Sequence, residues 1–319
     1  MSARAAAAFI LGAVFAALAG CVSLPQSDAL RAAPPAGLPP RVELAGVPFH
    51  AQGDFLCGPA TLAMALNAAG VRADVASLTP QVYLPGRRGS LQAEMLGATR
   101  RAGLVAYTPA PKLEDLLREV AAGTPAVVLL NLSVLRWMPV WHYAVVFGYD
   151  LDARKVFVRS GERPRDEWSF EFLEFFWRDS GYWSMLALPP SRVAATARAP
   201  DYAAAVAALE QAGHPVEAHA AYGALLARWP DDLVGLVGLG NTAYAMKDLG
   251  GAERAFRRAA EAHPASAAAL NNLAQVLGEL GRLDEAEAVA RRAAALPGPL
   301  APEARRTLDG ILRRRAAPR

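Results

Sequence analysis

Cys57 is the residue of this chain best suited to nucleophilic chemistry. It stands in the sequence LCGPAT (residues 56–61), where an extended segment gives way to an apolar helix. A cysteine at a helix N-terminus lies next to unpaired backbone N–H groups, which favour the thiolate and lower the pKa of the thiol. We therefore expect Cys57 to be partly ionised below its unperturbed pKa of about 8.5.

Two further side chains can serve a nucleophile at this position. Only His50 and His142 of the five histidines lie in the first half of the chain, and His142 opens a predicted strand in WHYAVV (residues 141–146). A histidine at the mouth of a strand can reach across a cleft to a helix N-terminus, as a Cys/His pair requires. His50 is too close in sequence to Cys57 for the same role. Gln52 precedes Cys57 by five residues and can donate, with the backbone N–H of Cys57, to an oxyanion.

The second cysteine, Cys21, follows a hydrophobic stretch and closes the sequence LAGC (residues 18–21). This pattern is typical of a lipidated, cleaved export signal. The apolar run at residues 5–19 is also too short to span a bilayer comfortably. We expect a signal peptide at residues 1–20 and lipidation at Cys21; a short uncleaved membrane anchor is the alternative. A lipidated Cys21 cannot form a disulfide, so Cys57 would be a lone thiol in an oxidising compartment.

Residue 22 bears on localisation. Val22 follows Cys21, and bacterial lipoproteins of this kind without Asp at that position generally go to the outer membrane. The resemblance implies a bacterial membrane lipoprotein, in the outer membrane and facing the periplasm. Five prolines at residues 22–41 indicate an extended, Pro-rich tether (residues 21–41) between the lipid and the first domain.

Residues 42–190 alternate helix-like and strand-like segments. The pattern predicts helices first and an antiparallel sheet second, which is typical of an α+β domain. The predicted helices are 59–69, a segment from 90 to 102, 112–122 and 168–177; the predicted strands are 42–49, 125–132, 141–149, 155–160 and 182–188.

The motifs around Cys57 and His142 together resemble a known family. Gln52 with CGPA (residues 57–60), and HYAVVFGYD (residues 142–150), look like the papain-like peptidases related to the bacteriocin double-glycine leader peptidases. The resemblance covers about residues 42–190 and implies that Cys57 is the nucleophile, His142 the general base and acid, and Gln52 the oxyanion donor.

A third catalytic residue departs from the family's pattern. The family usually has an Asp soon after the second hairpin strand, where this chain reads VRSG (residues 158–161). Ser160 could orient the imidazole weakly, or Glu162 could bend back to it. Asp150 belongs to the hairpin turn, because eight strand residues separate it from His142, about 26 Å at about 3.3 Å each.

After Ser191 the sequence becomes alanine-rich and repeats every 34 residues. Pro230 and Pro264 lie one period apart, and Tyr202, Leu236 and Leu270 occupy equivalent positions. This resembles the tetratricopeptide repeat. Three repeats over roughly 199–300 and a polar capping helix at 305–315 are expected. The groove of such repeats would carry Asn241, Asn271 and Gln275.

The predicted fold is thus an α+β papain-like cysteine peptidase domain (residues 42–192) followed by an all-α tetratricopeptide-repeat solenoid (residues 199–316). Few apolar residues join the two between 191 and 200, so we expect the first domain to fold alone. The net charge of +3, from 33 basic and 30 acidic residues without a clustered basic stripe, argues against a nucleic-acid partner. No metal-ligand spacing, phosphate loop or dinucleotide motif occurs, so no cofactor is expected.

The function that these features favour is a membrane-anchored cysteine peptidase acting on a peptide or protein substrate. The repeats would recruit the substrate or a protein partner, and the lipid on Cys21 would hold the chain to the membrane. Two alternatives stay open. The missing Asp is compatible with a catalytically inactive peptide-binding adaptor, and the same acyl-enzyme chemistry can end on an amine, as in a thiol acyltransferase or amidase.

Overall fold

The structure is a computed structural model that describes residues 23–135 and 137–316. The predicted signal peptide and Cys21 lie outside these ranges. No helix within them is long and apolar enough to cross a membrane.

One antiparallel sheet organises the first half of the chain, in the order β2-β7-β3-β4-β5-β6, with β1 paired to the far end of β4. Its strands are β1 (Arg41–Glu43), β2 (Val105–Tyr107), β3 (Ala126–Asn131), β4 (Trp141–Asp150), β5 (Lys155–Ser160), β6 (Arg163–Ser169) and β7 (Ser184–Leu188). Six helices accompany the sheet: α1 (Pro25–Ala32), α2 (Cys57–Ala68), α3 (Val75–Val82), α4 (Gln92–Arg101), α5 (Leu113–Ala121) and α6 (Phe170–Trp177). The α+β class predicted from the sequence is confirmed.

The sheet has a hydrophobic core on each face. Along β4 the side chains alternate, as the two-residue period of a strand requires. Tyr143, Val145 and Phe147 pack with α2 on one face, whereas Ala144 and Val146 belong to the core that α5 and α6 cover on the other. Helix α2 is apolar around most of its circumference because residues 58–66 are all buried. Cys57 therefore begins a helix that the core holds rigidly.

The chain before the sheet is a docked helix over residues 25–32, so the prediction of an extended tether is wrong there. Pro25 occupies the first turn, where its missing N–H costs nothing. The backbone N–H groups of Gln26 and Ser27 donate to the two oxygens of the buried Glu174 carboxylate at 3.0 and 2.6 Å, and Leu30 enters the core. A carboxylate that accepts the free N–H groups of a first turn fixes the start of α1.

Four further elements differ from the sequence prediction. The predicted strand 42–49 pairs only over Arg41–Glu43, and β2 and β6 were not predicted as strands. The side chains of β6 are mostly exposed and charged, because β6 is an edge strand held by pairing to β5 and not by burial. Helix α3 was also missed; it contains Pro80, a residue that normally argues against a helix interior.

Seven helices follow the sheet and form three antiparallel pairs and a cap. They are α7 (Ala199–Gln211), α8 (Pro215–Arg228), α9 (Leu233–Ala245), α10 (Leu249–Ala262), α11 (Ala267–Glu279), α12 (Leu283–Ala295) and α13 (Ala301–Ala316). Tyr202, Leu236 and Leu270 are all buried, as their shared repeat position requires. A Cβ on Gly238 would overlap the ring of Tyr222, and one on Gly240 the ring of Phe256. Glycine at these two positions lets the helices approach closely.

The two parts of the chain share a core, which contradicts the expectation that the first folds alone. The rings of Tyr107 in β2 and Tyr202 in α7 lie 5.7 Å apart, and both belong to one hydrophobic cluster. The buried carboxylate of Glu119 in α5 accepts hydrogen bonds from the backbone N–H groups of Ala195 and Thr196 at 3.0 and 2.7 Å. Ending the chain at Ser191 would expose this apolar surface and leave a buried carboxylate without its donors.

Tyr202→Ala is expected to lower the free energy of unfolding of both parts together, by about 3–5 kcal/mol, as for truncation of a buried aromatic residue. Tyr202→Phe is the matched control: it keeps the ring and loses only the hydrogen bond from the hydroxyl to the carbonyl of Arg192, worth about 1 kcal/mol. Denaturation followed by tryptophan fluorescence and by far-ultraviolet circular dichroism should give one coincident transition. Two separate transitions, with only the helical signal shifted by Tyr202→Ala, would show that the joint is loose.

Candidate active site

Cys57 lies at the first turn of α2, at the base of a cleft. The preceding turn is closed by the N–H of Leu56 bonded to the carbonyl of Gly53 at 3.1 Å, and Phe55 adopts a left-handed conformation there (φ 62°). A Cβ on Gly58 would lie only 2.1 Å from Oγ of Ser90, so glycine is required where α2 meets the loop before α4. The close contact with Ser90 therefore explains why glycine follows cysteine in this motif.

The thiol of Cys57 is largely buried. Burial raises its pKa above the ordinary value, and this effect exceeds that of the backbone N–H groups of Tyr143, Gly58 and Cys57, which act in the opposite direction. The structure therefore favours the protonated thiol at neutral pH, whereas the sequence predicted a partly ionised one. At neutral pH the thiol is then protonated, so an attack by Cys57 would need a base to take its proton.

His142 is the second residue of β4, directly before the Tyr143 whose N–H faces the thiol. Its Nε2 lies 2.8 Å from Oγ of Ser160 on the neighbouring strand β5. Burial lowers the pKa of His142 to about 4, so the ring is neutral at pH 7. In the tautomer in which Nε2–H donates to Oγ of Ser160, Nδ1 is the ring nitrogen free to take a proton.

The thiol and the imidazole line the same cleft, but no hydrogen bond joins them in the described structure. Side chains alternate along β4, so His142 belongs to the same face of the sheet as Ala144 and Val146, the face away from α2. Its side chain reaches the cleft around the end of β4. Catalytic hydrogen bonds are often long in a ligand-free enzyme and shorten only with substrate bound. Any mechanism that uses both groups therefore requires the thiol and the imidazole to come closer together.

Gln52 is buried and held at three points. Its backbone N–H donates to the carbonyl of Gly161 at 3.0 Å, and its Oε1 accepts from the N–H of Gly161 at 3.0 Å. Those partners fix the amide, so Nε2 faces the carbonyl of Tyr143 at 3.5 Å and the cleft. One N–H of Nε2 is left for an oxyanion beside Cys57.

The structure distinguishes the other residues that the sequence suggested for the catalytic site. Ser160 bonds to His142, whereas Glu162 is exposed and forms no hydrogen bond or ion pair with the ring. Asp150 lies in the β4–β5 hairpin and pairs with Arg41 at 3.2 Å, as expected for a turn residue. His50 bonds to Asn67 at 2.9 Å and braces α2 from outside the cleft.

The cleft has a volume of about 800 Å³. One side is formed by the Gln52–Cys57 segment and the loop before α4, where Arg88 (φ 49°) stacks on the ring of Phe55 at 5.6 Å. The other side is formed by the end of the β3–β4 loop and Trp141. The loop at 87–92 carries no recognisable motif, so its contribution to the cleft could not be predicted from the sequence. The Tyr143 hydroxyl, whose pKa is raised by burial, ties this loop to β4 by donating to the carbonyl of Ser90 at 3.2 Å.

Residues able to bind a metal do not cluster anywhere in the described ranges: no group of three or more His, Cys, Asp or Glu side chains is placed to hold one ion.

Comparison with known proteins identifies both parts of the chain. Residues 44–182 match the family model described as "Peptidase_C39 like family", and residues 255–288 match that of the tetratricopeptide repeat. None of the curated proteins matches this chain.

Solved structures resemble each part separately. A putative C39-like peptidase from Bacillus anthracis has 20% identity and a TM-score of 0.39, covering 46% of this chain and 96% of its own. The type III secretion translocator chaperone SycD of Yersinia enterocolitica has 22% identity and a TM-score of 0.35, covering 37% and 95%. The first tetratricopeptide-repeat domain of Spaghetti, bound to a peptide, has 20% identity and a TM-score of 0.35, covering 37% and 94%. The resemblance inferred from the motifs is confirmed by the family matches: the chain carries a domain of the C39-like peptidase family, joined to tetratricopeptide repeats.

Proposed function

We propose that this protein is a cysteine peptidase that hydrolyses peptide bonds with Cys57 as nucleophile. The observation that carries the proposal is that Cys57, His142 and Gln52, three residues with complementary chemical roles, line one cleft large enough for a peptide segment. The match of residues 44–182 to a peptidase family supports the same reaction class.

The chemistry starts from a neutral pair. As the Sγ of Cys57 attacks the carbonyl carbon, Nδ1 of His142 takes the thiol proton, and the new oxyanion accepts from Nε2 of Gln52 and the N–H of Cys57. His142 then donates that proton to the leaving amine, which releases the first product and leaves a thioester. Water, deprotonated by His142, hydrolyses the thioester and restores the thiol.

The repeats are proposed to recruit the substrate or a protein partner. A row of polar side chains crosses from α9 to α11: Asn272 donates to Asn241 at 3.1 Å, and Gln275 donates to the hydroxyl of Tyr244 at 3.3 Å. Such amides can exchange these bonds for those of a peptide backbone. Asn271 is itself buried, and its side-chain amide donates to Asn272 of this row at 3.4 Å.

A test of hydrolysis combines cleavage and trapping. The full protein is incubated with a mixture of unstructured peptides, and mass spectrometry is used to find new termini and a covalent adduct on Cys57 after acid quenching. Specific new termini together with a thioester on Cys57 support a peptidase. An adduct that is released only by added amines would instead indicate an acyltransferase.

A second function, a peptide-binding adaptor without catalysis, has an observation of its own. His142 bonds to a neutral serine instead of a carboxylate, and it does not contact the thiol in the described structure. Peptide that binds in the cleft with equal affinity to wild type and Cys57→Ala, and is never cut, would establish the adaptor.

We further propose that the protein is a bacterial lipoprotein, attached through Cys21 to the outer membrane and facing the periplasm. The support is the apolar run that ends in the sequence LAGC. Cys21→Ala is expected to abolish incorporation of radiolabelled palmitate, because the acylated thiol is lost. Cys57→Ala, which removes the other cysteine, is the matched control and should leave labelling unchanged. Equal labelling of Cys21→Ala and wild type would contradict lipidation at Cys21.

A further inference from the structure

The loop between β3 and β4 exposes a cluster of large apolar side chains. We call it the loop surface; it consists of Val134, Leu135, Trp137, Met138, Val140 and Trp141. Val134 and Trp137 are the most exposed, at 73% and 76%. Single exposed apolar residues are ordinary on protein surfaces, but a contiguous cluster marks an interaction site.

The loop that carries this surface is held by hydrogen bonds. Oδ1 of the buried Asn131 accepts from the N–H groups of Ser133 and Val140 at 3.2 and 2.9 Å. The N–H of Leu132 donates to the carbonyl of Val140 at 2.8 Å, and that of Met138 to the carbonyl of Leu135 at 2.8 Å. These hydrogen bonds hold the loop in a closed conformation that keeps its apolar side chains exposed to solvent.

A peptide in the catalytic cleft would leave most of the loop surface uncovered. Val140 and Trp141 line the cleft, whereas Val134, Leu135, Trp137 and Met138 do not. The four outer side chains thus need a different partner from the substrate bound beside Cys57.

Helix α1, with which the described part of the chain begins, starts at the same end of the sheet as the loop surface. Helix α5 leads into β3 within a few residues, so the start of α5 lies near the end of β3. Gln26 in the first turn of α1 bonds to Pro111 and Leu113 at that start. The first turn of α1 also contacts Glu174, which lies one turn before the end of α6. Just beyond α6, Asp179 accepts a hydrogen bond at 3.1 Å from Asn131 at the end of β3.

This position limits how far the fold can lie from a lipid on Cys21. Pro25, the first residue of α1, is four positions after Cys21 in the sequence. Four fully extended residues reach at most about 14 Å. With the predicted tether replaced by a docked helix, the end of the sheet that carries the loop surface and the cleft stays close to the anchored lipid.

We propose that the loop surface inserts into the lipid–water interface and holds the catalytic cleft at the surface of the membrane. The inference rests on the proposed attachment through Cys21. Tryptophan and methionine beside aliphatic side chains suit the interface between headgroups and acyl chains, where the amphipathic indole is favoured. Across the cleft, Arg87 and Arg88 are exposed, and neither side chain has an ion pair with a described residue, so both can face anionic headgroups. The substrates favoured by this geometry are peptide segments close to the membrane.

Quenching by brominated lipid tests the contact directly. The lipidated full-length protein is reconstituted into vesicles of phosphatidylethanolamine and phosphatidylglycerol, with and without bromine on the acyl chains. We expect brominated vesicles to reduce tryptophan emission, and Trp137→Phe to remove at least half of that reduction. Trp229→Phe, which removes a tryptophan of the repeat part, is the matched control and should leave the bromine-dependent loss intact. Acrylamide should reach Trp137 in detergent but not in vesicles.

Each result has a defined meaning. Protein that floats with the vesicles but shows no bromine-dependent loss overturns membrane insertion while leaving the lipid anchor intact. Protein that fails to float overturns both the anchor and the insertion. If Trp137→Phe slows peptide cleavage in detergent and bromine has no effect, the loop surface binds substrate and the inference is wrong. Absence of any peptide hydrolysis, with normal quenching, removes the peptidase proposal alone.

Discussion

Cys57→Ala and His142→Ala are each expected to abolish peptide hydrolysis, and Gln52→Ala to lower kcat about a hundredfold or more. Loss of the thiol removes the proposed nucleophile, and loss of the imidazole removes the base proposed to take its proton. Loss of an oxyanion donor removes stabilisation that exists mainly in the transition state, so kcat falls more than KM changes. The measurement is the steady-state rate on a peptide identified by its cleavage products.

The three variants need a control for folding, because Gln52 also bridges Gly161 and Tyr143. Gln52→Glu keeps an oxygen to accept from the N–H of Gly161 but loses the Nε2 donor. Its melting transition reports whether the site still folds, and we expect it to be as inactive as Gln52→Ala. Full activity in either Gln52 variant would remove this residue from the site, and activity in Cys57→Ala would refute the whole mechanism.

Ser160→Asp is expected to speed the alkylation of Cys57 by iodoacetamide at pH 7 by more than tenfold. In wild type the pKa of the thiol is raised and that of His142 is lowered to about 4, so both groups are neutral at pH 7 and labelling should accelerate only in alkaline solution. A carboxylate beside Nε2 stabilises the imidazolium and raises the pKa of His142. The imidazolium in turn favours the thiolate, and each unit by which the pKa of the thiol falls raises the thiolate fraction about tenfold.

Matched substitutions separate charge from shape at this position. Ser160→Asn is close in size to Asp but neutral, and it should keep the slow, alkaline labelling profile of wild type. Ser160→Asp should preserve or raise peptide turnover, whereas Ser160→Ala should lower it about tenfold or less, about 1.4 kcal/mol. An Asp variant whose labelling profile equals that of the Asn variant would show that His142 does not communicate with the thiol.

The sequence predicted the position of the site better than its electrostatics. Cys57, His142 and Gln52 could be named because each belongs to a short motif at a predicted helix start, strand start or approach segment. The direction of the thiol pKa was predicted from the helix N-terminus alone. The structure adds the burial of the thiol beneath the loop at 87–92, which outweighs the backbone N–H groups, and burial depends on packing between distant segments.

The same limit explains what was missed in the fold. The repeats were predictable because their 34-residue period is visible in the chain itself, and the family match at 255–288 confirms a repeat within them. Helix α1 looked like a tether because its stabilising partner, Glu174, is 147 residues from Ser27. The shared core was hidden similarly: the linker after Ser191 has few apolar residues, but Tyr202 beyond it packs on Tyr107 far upstream. Local patterns cannot reveal contacts that only the folded chain brings together.

If the proposed peptidase activity holds, the joint formed by Tyr107, Tyr202 and Glu119 would restrict where a substrate can be cut. If the two parts were linked flexibly, a partner held by the repeats could present any of its segments to Cys57, with a local concentration set by the linker. A stiff joint instead keeps the recruiting face and the nucleophile at one separation. Under the proposed function, the recruiting face and the nucleophile would then act as a molecular ruler: a protein held by the repeats would be cut only where its own chain places a bond at that span.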